Sequence, residues 1–484
     1  MRARIGLEVH VQLSEAGTKL FCNCDSEYRR YAPNENVCPV CLGLPGALPV
    51  PGRRPVILAL AASMALGCRI PDAIVFTRKH YFYPDLPKNY QITQYEAVGG
   101  APVCLGGELR YLDPENWGWK RVGIRRINLE EDPGRTVYSE GDIMTSRYAL
   151  VDYNRSGVPL LEIVTEPEIG SPRDARLAVE YLLLKLEYLG AVNPRLEGVF
   201  RVDANISVEG GERVEVKNIG STLDVERALR YEELRQRRLL EGGVRVERET
   251  RHWDADKGVT RPLRHKEAEE EYLYFPDPDL PPLIITSDML EEAKRLASET
   301  PEKYYESLVK MGIKEEVAWS IVQVKPSMEV FTRAVQLGGN PRILARMIGL
   351  DYKGELRERR KDPYDPSNWP PPEAMARLSR LVDEGEYIYD SIRGLVLPKL
   401  AEDPGRPIEE ILPSKVDRID ELVDEVIREE SKAVRDYLSG KEKALNYLVG
   451  AIVRRARGKA IDPREARKRL LDRLKSLESG GRGS

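Results

Sequence analysis

The chain has 484 residues, 75 Lys+Arg against 79 Asp+Glu, four histidines and six cysteines. At ~150 residues per domain that length holds about three cores, and 41% hydrophobic with 32% charged residues describes a globular chain, not a disordered one. A formal net charge of −4 excludes indiscriminate nucleic-acid coating by the whole chain. The longest apolar run, Val56 to Leu66, is shorter than the ~20 residues a bilayer crossing needs.

Met1-Arg2-Ala3-Arg4-Ile5-Gly6 passes straight into an alternating pattern without an apolar leader, so the expected location is cytoplasmic, with no membrane partner. The first ~290 residues read as strands, glycine turns and proline loops. In the opening strand, period-2 alternation places Ile5, Leu7, Val9, Val11 and Leu13 on one side and Glu8, His10 and Gln12 on the other. The same rule puts Arg126, Asn128 and Glu130 on one face of their strand, Glu162 and Glu166 on another, and Arg201, Asp203 and Asn205 on a fourth. A solvated sheet face would accept Lys or Thr equally well. Clustered carboxylates with an imidazole repel one another unless a cation neutralises them, and hard oxygen ligands suit Mg²⁺. From pattern alone, a metal–phosphate site and a solvated face stand about even.

Between those strands lie two further features. Cys22 and Cys24, then Cys38 and Cys41, have spacing that permits a tetrahedral four-cysteine zinc knuckle over residues 22–41. Four thiolates leave no open coordination position, so the zinc is expected to be structural. Cys68 and Cys104 are expected to be unpaired core residues. The loop from Lys79 to Lys88 is aromatic and stiffened by proline, and it reads equally as a packed loop or a ligand-contacting one. No P-loop, dinucleotide-binding glycine motif, zincin motif or hydrolase nucleophile elbow occurs. A bound nucleotide would therefore have its phosphates held by carboxylate-bound Mg²⁺ and by lysines, with Lys79, Tyr81, Lys88 and Arg201 as candidate contacts.

From Ser287 onward the pattern is helical. Ser287 is expected to cap one helix, and Thr300 with Pro301 to start the next. Proline-rich breaks at Lys361 to Pro372 and at Asp403 to Pro407 interrupt the series. Leu445, Leu448, Val449, Ile452, Val453 and Ala456 form one helical stripe, and Asp462-Pro463-Arg464-Glu465 reads as the start of a last helix. From Gly440 onward there are 13 Lys/Arg against 5 Asp/Glu. Arg454, Arg455, Arg457 and Lys459 are the expected contacts to a phosphate backbone.

Several long blocks resemble the GatB family, the GatB subunit of the tRNA-dependent amidotransferase. They include Gly6-Leu7-Glu8-Val9-His10-Val11-Gln12-Leu13, the run from Lys79 to Ile92, Leu129-Glu130-Glu131-Asp132, and the run from Asp152 to Pro167. Arg201 to Ser207, Glu215 to Ser221 and Tyr274 to Pro281 continue the likeness, and Gly440 to Gly450 with Arg457 to Ala460 resemble the family's tail. The resemblance implies an α+β chain: a mainly antiparallel β cradle (1–290), an all-α helical domain (291–408) and a small helical tail that binds tRNA (409–484). It implies a heterotrimer with an amidase, GatA, and a belt subunit, GatC. In that scheme ATP phosphorylates the side-chain carboxylate of mischarged Asp-tRNA(Asn) or Glu-tRNA(Gln), and ammonia from the amidase then displaces phosphate. The family's metal–nucleotide site falls on Glu8, His10, Glu130, Glu162 and Asp203. The family's usual histidine before the Leu-Glu-Glu-Asp block is Asn128 here, which removes a titratable group. Pro133 replaces a small residue, and no inserted synthetase-like domain of the E-subunit kind interrupts the chain. Two other readings remain: a zinc-bearing tRNA-binding module that only presents substrate, and a stand-alone ATP-dependent amide ligase.

Overall fold

A computed structural model describes residues 2–140, 146–263, 272–413, 419–455 and 463–480. The chain divides into two compact units, Met1–Lys303 and Tyr304–Ser484. The first is built on a nine-stranded sheet. Its central strand, Ala3–Gln12, pairs antiparallel with Pro159–Thr165 on one side and Phe200–Val208 on the other. Gly118–Glu131 continues the sheet beyond Pro159–Thr165, and Val214–Ile219, Glu249–Asp254 and Val259–Pro262 continue it beyond Phe200–Val208.

The expected mainly antiparallel α+β architecture is what forms. Among these neighbours the one parallel pair is Val214–Ile219 with Glu249–Asp254. Parallel neighbours need a long crossover, and the helix Thr222–Glu241 supplies it. The alternation read from the sequence also holds. Ile5, Leu7, Val9, Val11 and Leu13 are all buried, as are Ile127, Leu129, Leu161, Ile163, Val202 and Ala204. The helices Pro172–Tyr188 and Thr222–Glu241 pack onto the sheet from that apolar side.

Three helices stand where the first ~290 residues were expected to hold only strands, turns and loops: Arg53–Ala65, Pro172–Tyr188 and Thr222–Glu241. Val56 through Ser63 is buried without a break, so the first of these has no polar face to give a helical period. The other two begin with signals that were present in the chain. Ser171 and Ser221 each accept the N–H of an aspartate three residues on, Asp174 and Asp224.

The expectation for Cys68 and Cys104 is overturned, because the two form a disulfide with Cα atoms 5.4 Å apart. A bridge between Arg69 and Leu105, with both backbone N–H groups donating across it, brings the neighbouring cysteines together. They are 36 residues apart, so no local spacing announces the contact.

The second unit is helical throughout its described residues. Its helices include Pro301–Lys310, which starts in the first unit at the expected proline. One residue earlier than expected, Thr286 occupies the cap position of Ser287–Ala297. Towards the end, Val423, Val426, Leu445, Leu448, Ile452, Leu470 and Leu474 share a hydrophobic cluster, as the helical stripe requires. Ala456 and Asp462 lie outside the described residues. Among the described residues no helix is long and apolar enough to cross a membrane.

Candidate active site

The register of three strand pairs builds the site. Glu8 faces Asp203 across one neighbour, while His10 faces Arg201 on that side and Glu162 on the other. Glu162 in turn faces Asn128, and Glu130 faces Leu160 one pleat further on. One ligand atom each from Glu8, His10 and Glu162 lie within 4.8 Å of one another. Two adjacent strands thus supply a compact trio, and Glu130 and Asp203 flank it from two more.

Each flanking side chain is held by specific partners. Glu130 accepts from the Thr93 hydroxyl and from Gln91 Nε2 at 3.3 Å. Asn128 Nδ2 donates to Glu162 Oε2 at 2.6 Å. Asp203 receives Lys217 Nζ at 2.8 Å on one oxygen and the Asn218 N–H at 2.9 Å on the other. Glu166, expected beside Glu162, is instead turned out by an irregularity between Val164 and Thr165 and pairs with Arg125 at 2.8 Å.

The electrostatics favour a bound cation. Burial, reinforced by Glu162 and Asp203, pushes the Glu8 carboxyl up to about 8. Burial also raises Glu130 and Glu162, against the pull of the Lys79 charge. Burial and then Arg201 press His10 down to about 3, so its imidazole is neutral and able to ligate. For Asp203 the upward push of burial is outweighed by Lys217, leaving the group below the usual carboxylate range. His10 Nδ1 and Asn128 Oδ1 are buried with no hydrogen-bond partner. A neutral imidazole 3.4 Å from one carboxylate, a second carboxylate within 4.8 Å of both, and orphaned polar atoms fit a hydrated divalent cation.

The four residues named as nucleotide contacts separate into two groups. Lys79 lies 4.8 Å over the Tyr272 ring, and its charge is felt at Glu130, Glu162 and His10. Arg201 is exposed beside His10, and Tyr81, its phenol raised by burial, is within electrostatic reach of Glu130. Lys88 goes elsewhere. It pairs with Glu131 at 2.5 Å, whose side chain leaves the strand on the face opposite Glu130. There Lys88 lines a cavity of about 190 Å³ together with Arg78, Tyr90 and Cys41. Sequence reasoning passed over Lys217, Gln91 and Thr93. The alternation that exposed Asp203 also applies to Glu215-Val216-Lys217, and that was the available signal.

The knuckle assembles as its spacing implied. The four Sγ atoms of Cys22, Cys24, Cys38 and Cys41 lie within 4.8 Å of one another. A tetrahedral ion with ~2.3 Å bonds to sulfur needs edges of roughly 3.8 Å, so the group closes with small movements. The Cys38 N–H donates to Cys41 Sγ at 3.1 Å, and the fully buried Lys19 ammonium donates to it at 3.5 Å. The hydrogen bond from Cys22, with Lys19 assisting, holds Cys41 down at about 4, whereas burial lifts Cys24 to about 11. One thiolate is thus already favoured before any metal arrives.

In the tail, Arg455 pairs with Glu429 at 2.7 Å, and Arg454 sits 5.7 Å from the Tyr447 ring centre. Arg457 and Lys459 lie outside the described residues.

Residues 3–291 match the GatB/GatE catalytic domain, and residues 329–474 match the GatB domain. The chain belongs to the GatB family. It is 67% identical over 479 residues to the B subunit of the aspartyl/glutamyl-tRNA(Asn/Gln) amidotransferase of Aeropyrum pernix, covering 99% of this chain and 98% of the relative. The corresponding subunits of Sulfurisphaera tokodaii and Thermotoga maritima are 43% and 42% identical. Both alignments cover 95% of this chain, with 97% and 96% of the respective relatives. GatB-family membership makes this chain an enzyme of the amidotransferase class, a carbon–nitrogen ligase. The matched catalytic domain contains every residue of the acid–histidine cluster and of the knuckle.

Proposed function

We propose that this chain activates the side-chain carboxylate of mischarged Asp-tRNA(Asn) or Glu-tRNA(Gln) with ATP and amidates it with ammonia, giving Asn-tRNA(Asn) or Gln-tRNA(Gln). It works as the GatB subunit beside an amidase (GatA) and a belt subunit (GatC). The observation that carries the reading is the trio of Glu8, His10 and Glu162, flanked by Glu130 and Asp203, on one polar sheet face.

A carboxylate is a poor acyl electrophile because its leaving group would be oxide. Transfer of the terminal phosphoryl group of ATP to a carboxylate oxygen gives an acyl phosphate and ADP. Ammonia then attacks the carbonyl carbon, and the C–O bond to phosphate breaks. Glu8, His10 and Glu162 would hold Mg²⁺, with Glu130 and Asp203 beside it, and the ion would supply charge to offset that of the transferring phosphoryl group. Lys79 and Arg201 add positive charge on the same face, with Tyr81 alongside. Asn128 keeps one Glu162 oxygen fixed, and the buried floor excludes water that would hydrolyse the activated acyl group. His10, held neutral, would serve as a ligand of that ion and not as a proton donor. Lys88, paired with Glu131, would reach a nucleotide only by exchanging that partner.

Cys22, Cys24, Cys38 and Cys41 would hold one structural Zn²⁺. The three-part division at residues 290 and 408 belongs to the same reading, with Arg454, Arg455, Arg457 and Lys459 contacting tRNA backbone. Arg455 would have to trade Glu429 for phosphate. Reversing Arg454 and Arg455 to Glu should raise KM for tRNA most at low salt, with the difference from the unmodified chain shrinking as salt rises, and unchanged tRNA kinetics would reject this surface.

The test is ADP formation by the complex of the three subunits. It should require mischarged tRNA and be abolished by Glu130→Gln. Full ADP formation by that variant would instead favour a module that binds tRNA and presents it to another subunit.

A further inference from the structure

Val202 pairs with Ile219 and Ala204 with Val216, so the single residue Asp203 faces two, Lys217 and Asn218. Two residues against one is a β-bulge, which bends a strand and re-aims a side chain. The extra residue is Asn218, at φ +62°, in the left-handed region that few side chains other than Asn or Asp tolerate. This local strain has a definite product. The Asn218 N–H reaches one Asp203 oxygen at 2.9 Å, and Lys217 Nζ lies 2.8 Å from the other and 3.2 Å from Glu215 Oε1.

Both Asp203 oxygens are therefore engaged, and Asp203 stands outside the mutual 4.8 Å group of Glu8, His10 and Glu162. The Lys217 ammonium has three donors, and its two carboxylate partners take two of them. It is largely buried, and its charge acts on both Glu8 and His10. His10, whose Nδ1 is buried without a hydrogen-bond partner while its Nε2 lies 3.4 Å from Glu8 Oε1, is cross-strand from Arg201, two residues before Asp203 on the same strand. A cation so placed can bind a phosphate oxygen shared with the metal trio.

Resting on the function proposed above, we infer that Lys217 is a phosphate-binding residue of the nucleotide site. Asp203 is its positioning residue and not a metal ligand. Lysine suits the task because it offers a compact point charge to a phosphate oxygen. The bulge fixes where that charge sits, and Glu215 steadies it from the other side.

The test uses the three-subunit complex with two probes: Mn²⁺ alone, followed by electron paramagnetic resonance, and ADP at saturating Mn²⁺, followed by calorimetry. Lys217→Met should weaken ADP binding about tenfold or more without weakening Mn²⁺ binding, since the lost charge repels the ion. Lys217→Arg, which keeps the charge, should restore part of the loss and guards against a misfolded Met variant. Asp203→Asn should weaken ADP by a similar factor, and the double variant should be no worse than either single one, the mark of two residues acting as a unit. ADP binding unchanged in both Lys217 variants would overturn the assignment of Lys217. A selective loss of Mn²⁺ affinity in Asp203→Asn would return Asp203 to the metal. Failure of the unmodified complex to bind ADP with Mn²⁺ would sink the nucleotide site itself, and this inference with it.

Discussion

Two groups in the first unit have the donor sets of metal sites, and they differ in almost every physical respect. The knuckle draws four like ligands from a stretch of twenty residues, Cys22 to Cys41, with Lys19 buried beneath one sulfur. The acid–histidine cluster draws unlike ligands from strands more than 150 residues apart, with Glu8 and Glu162 opposing one another's charge. The knuckle is closed and self-sufficient, which suits structure. The cluster is unsatisfied in the absence of a ligand, which suits chemistry: a site that must take up and release charged groups cannot be saturated by its own side chains.

The contrast predicts opposite responses to substitution. After the loss expected of Glu130→Gln, the largest effect should come from Glu162→Gln, which should lower tRNA-dependent ADP formation by about 100-fold or more. Its thermal midpoint should hold or rise, because the change removes repulsion with Glu8. A fall in stability to match the lost activity would erase the distinction. Cys38→Ser, or zinc stripping by a chelator, should behave the other way and cost about 3 kcal/mol of stability at the first unit. The check is thermal unfolding alongside zinc content by elemental analysis.

The disulfide adds a third, covalent kind of tie. Cys104→Ser should cost about 2–4 kcal/mol for a loop of this size. Thiol counting on the denatured, chelated and unreduced chain should find four reactive groups out of the six cysteines. Six would show that the pair is reduced.

The smallest effect is a pH slope confined to the cluster. Glu8 is raised from 4.5 to about 8 on folding, so the folded chain holds a proton that the unfolded chain has lost, and stability falls as pH rises between those values. His10 is lowered from 6.5 to about 3, and this works in the opposite direction, with stability rising with pH up to 6.5. The two oppose each other up to about 6.5, which leaves a net fall from there to about 8. Because Cys41, held down at about 4, contributes a rise over the same window, the decline is read as the thermal midpoint of the metal-free chain minus that of its Glu8→Gln variant, and millimolar Mg²⁺ should flatten it by taking the place of the Glu8 proton. A slope indifferent to Mg²⁺ would detach the cluster from cation binding.

Local pattern alone determined a good deal about this protein. Period-2 alternation assigned the buried face of the opening strand and put Glu8, His10, Glu162 and Asp203 on polar faces, and cysteine spacing determined the knuckle. These are short-range regularities, and backbone geometry translates them directly. Tertiary structure decided which polar faces meet. Strand register made a trio of Glu8, His10 and Glu162, turned Glu166 outward, set Lys88 against Glu131, and brought Lys217 to Asp203 through a bulge. It also joined Cys68 to Cys104 and buried the evenly apolar helix Arg53–Ala65. Each of these depends on hydrogen bonds or packing between segments far apart in sequence. A one-residue shift of register would send every such side chain to the opposite face, so no single segment carries that information.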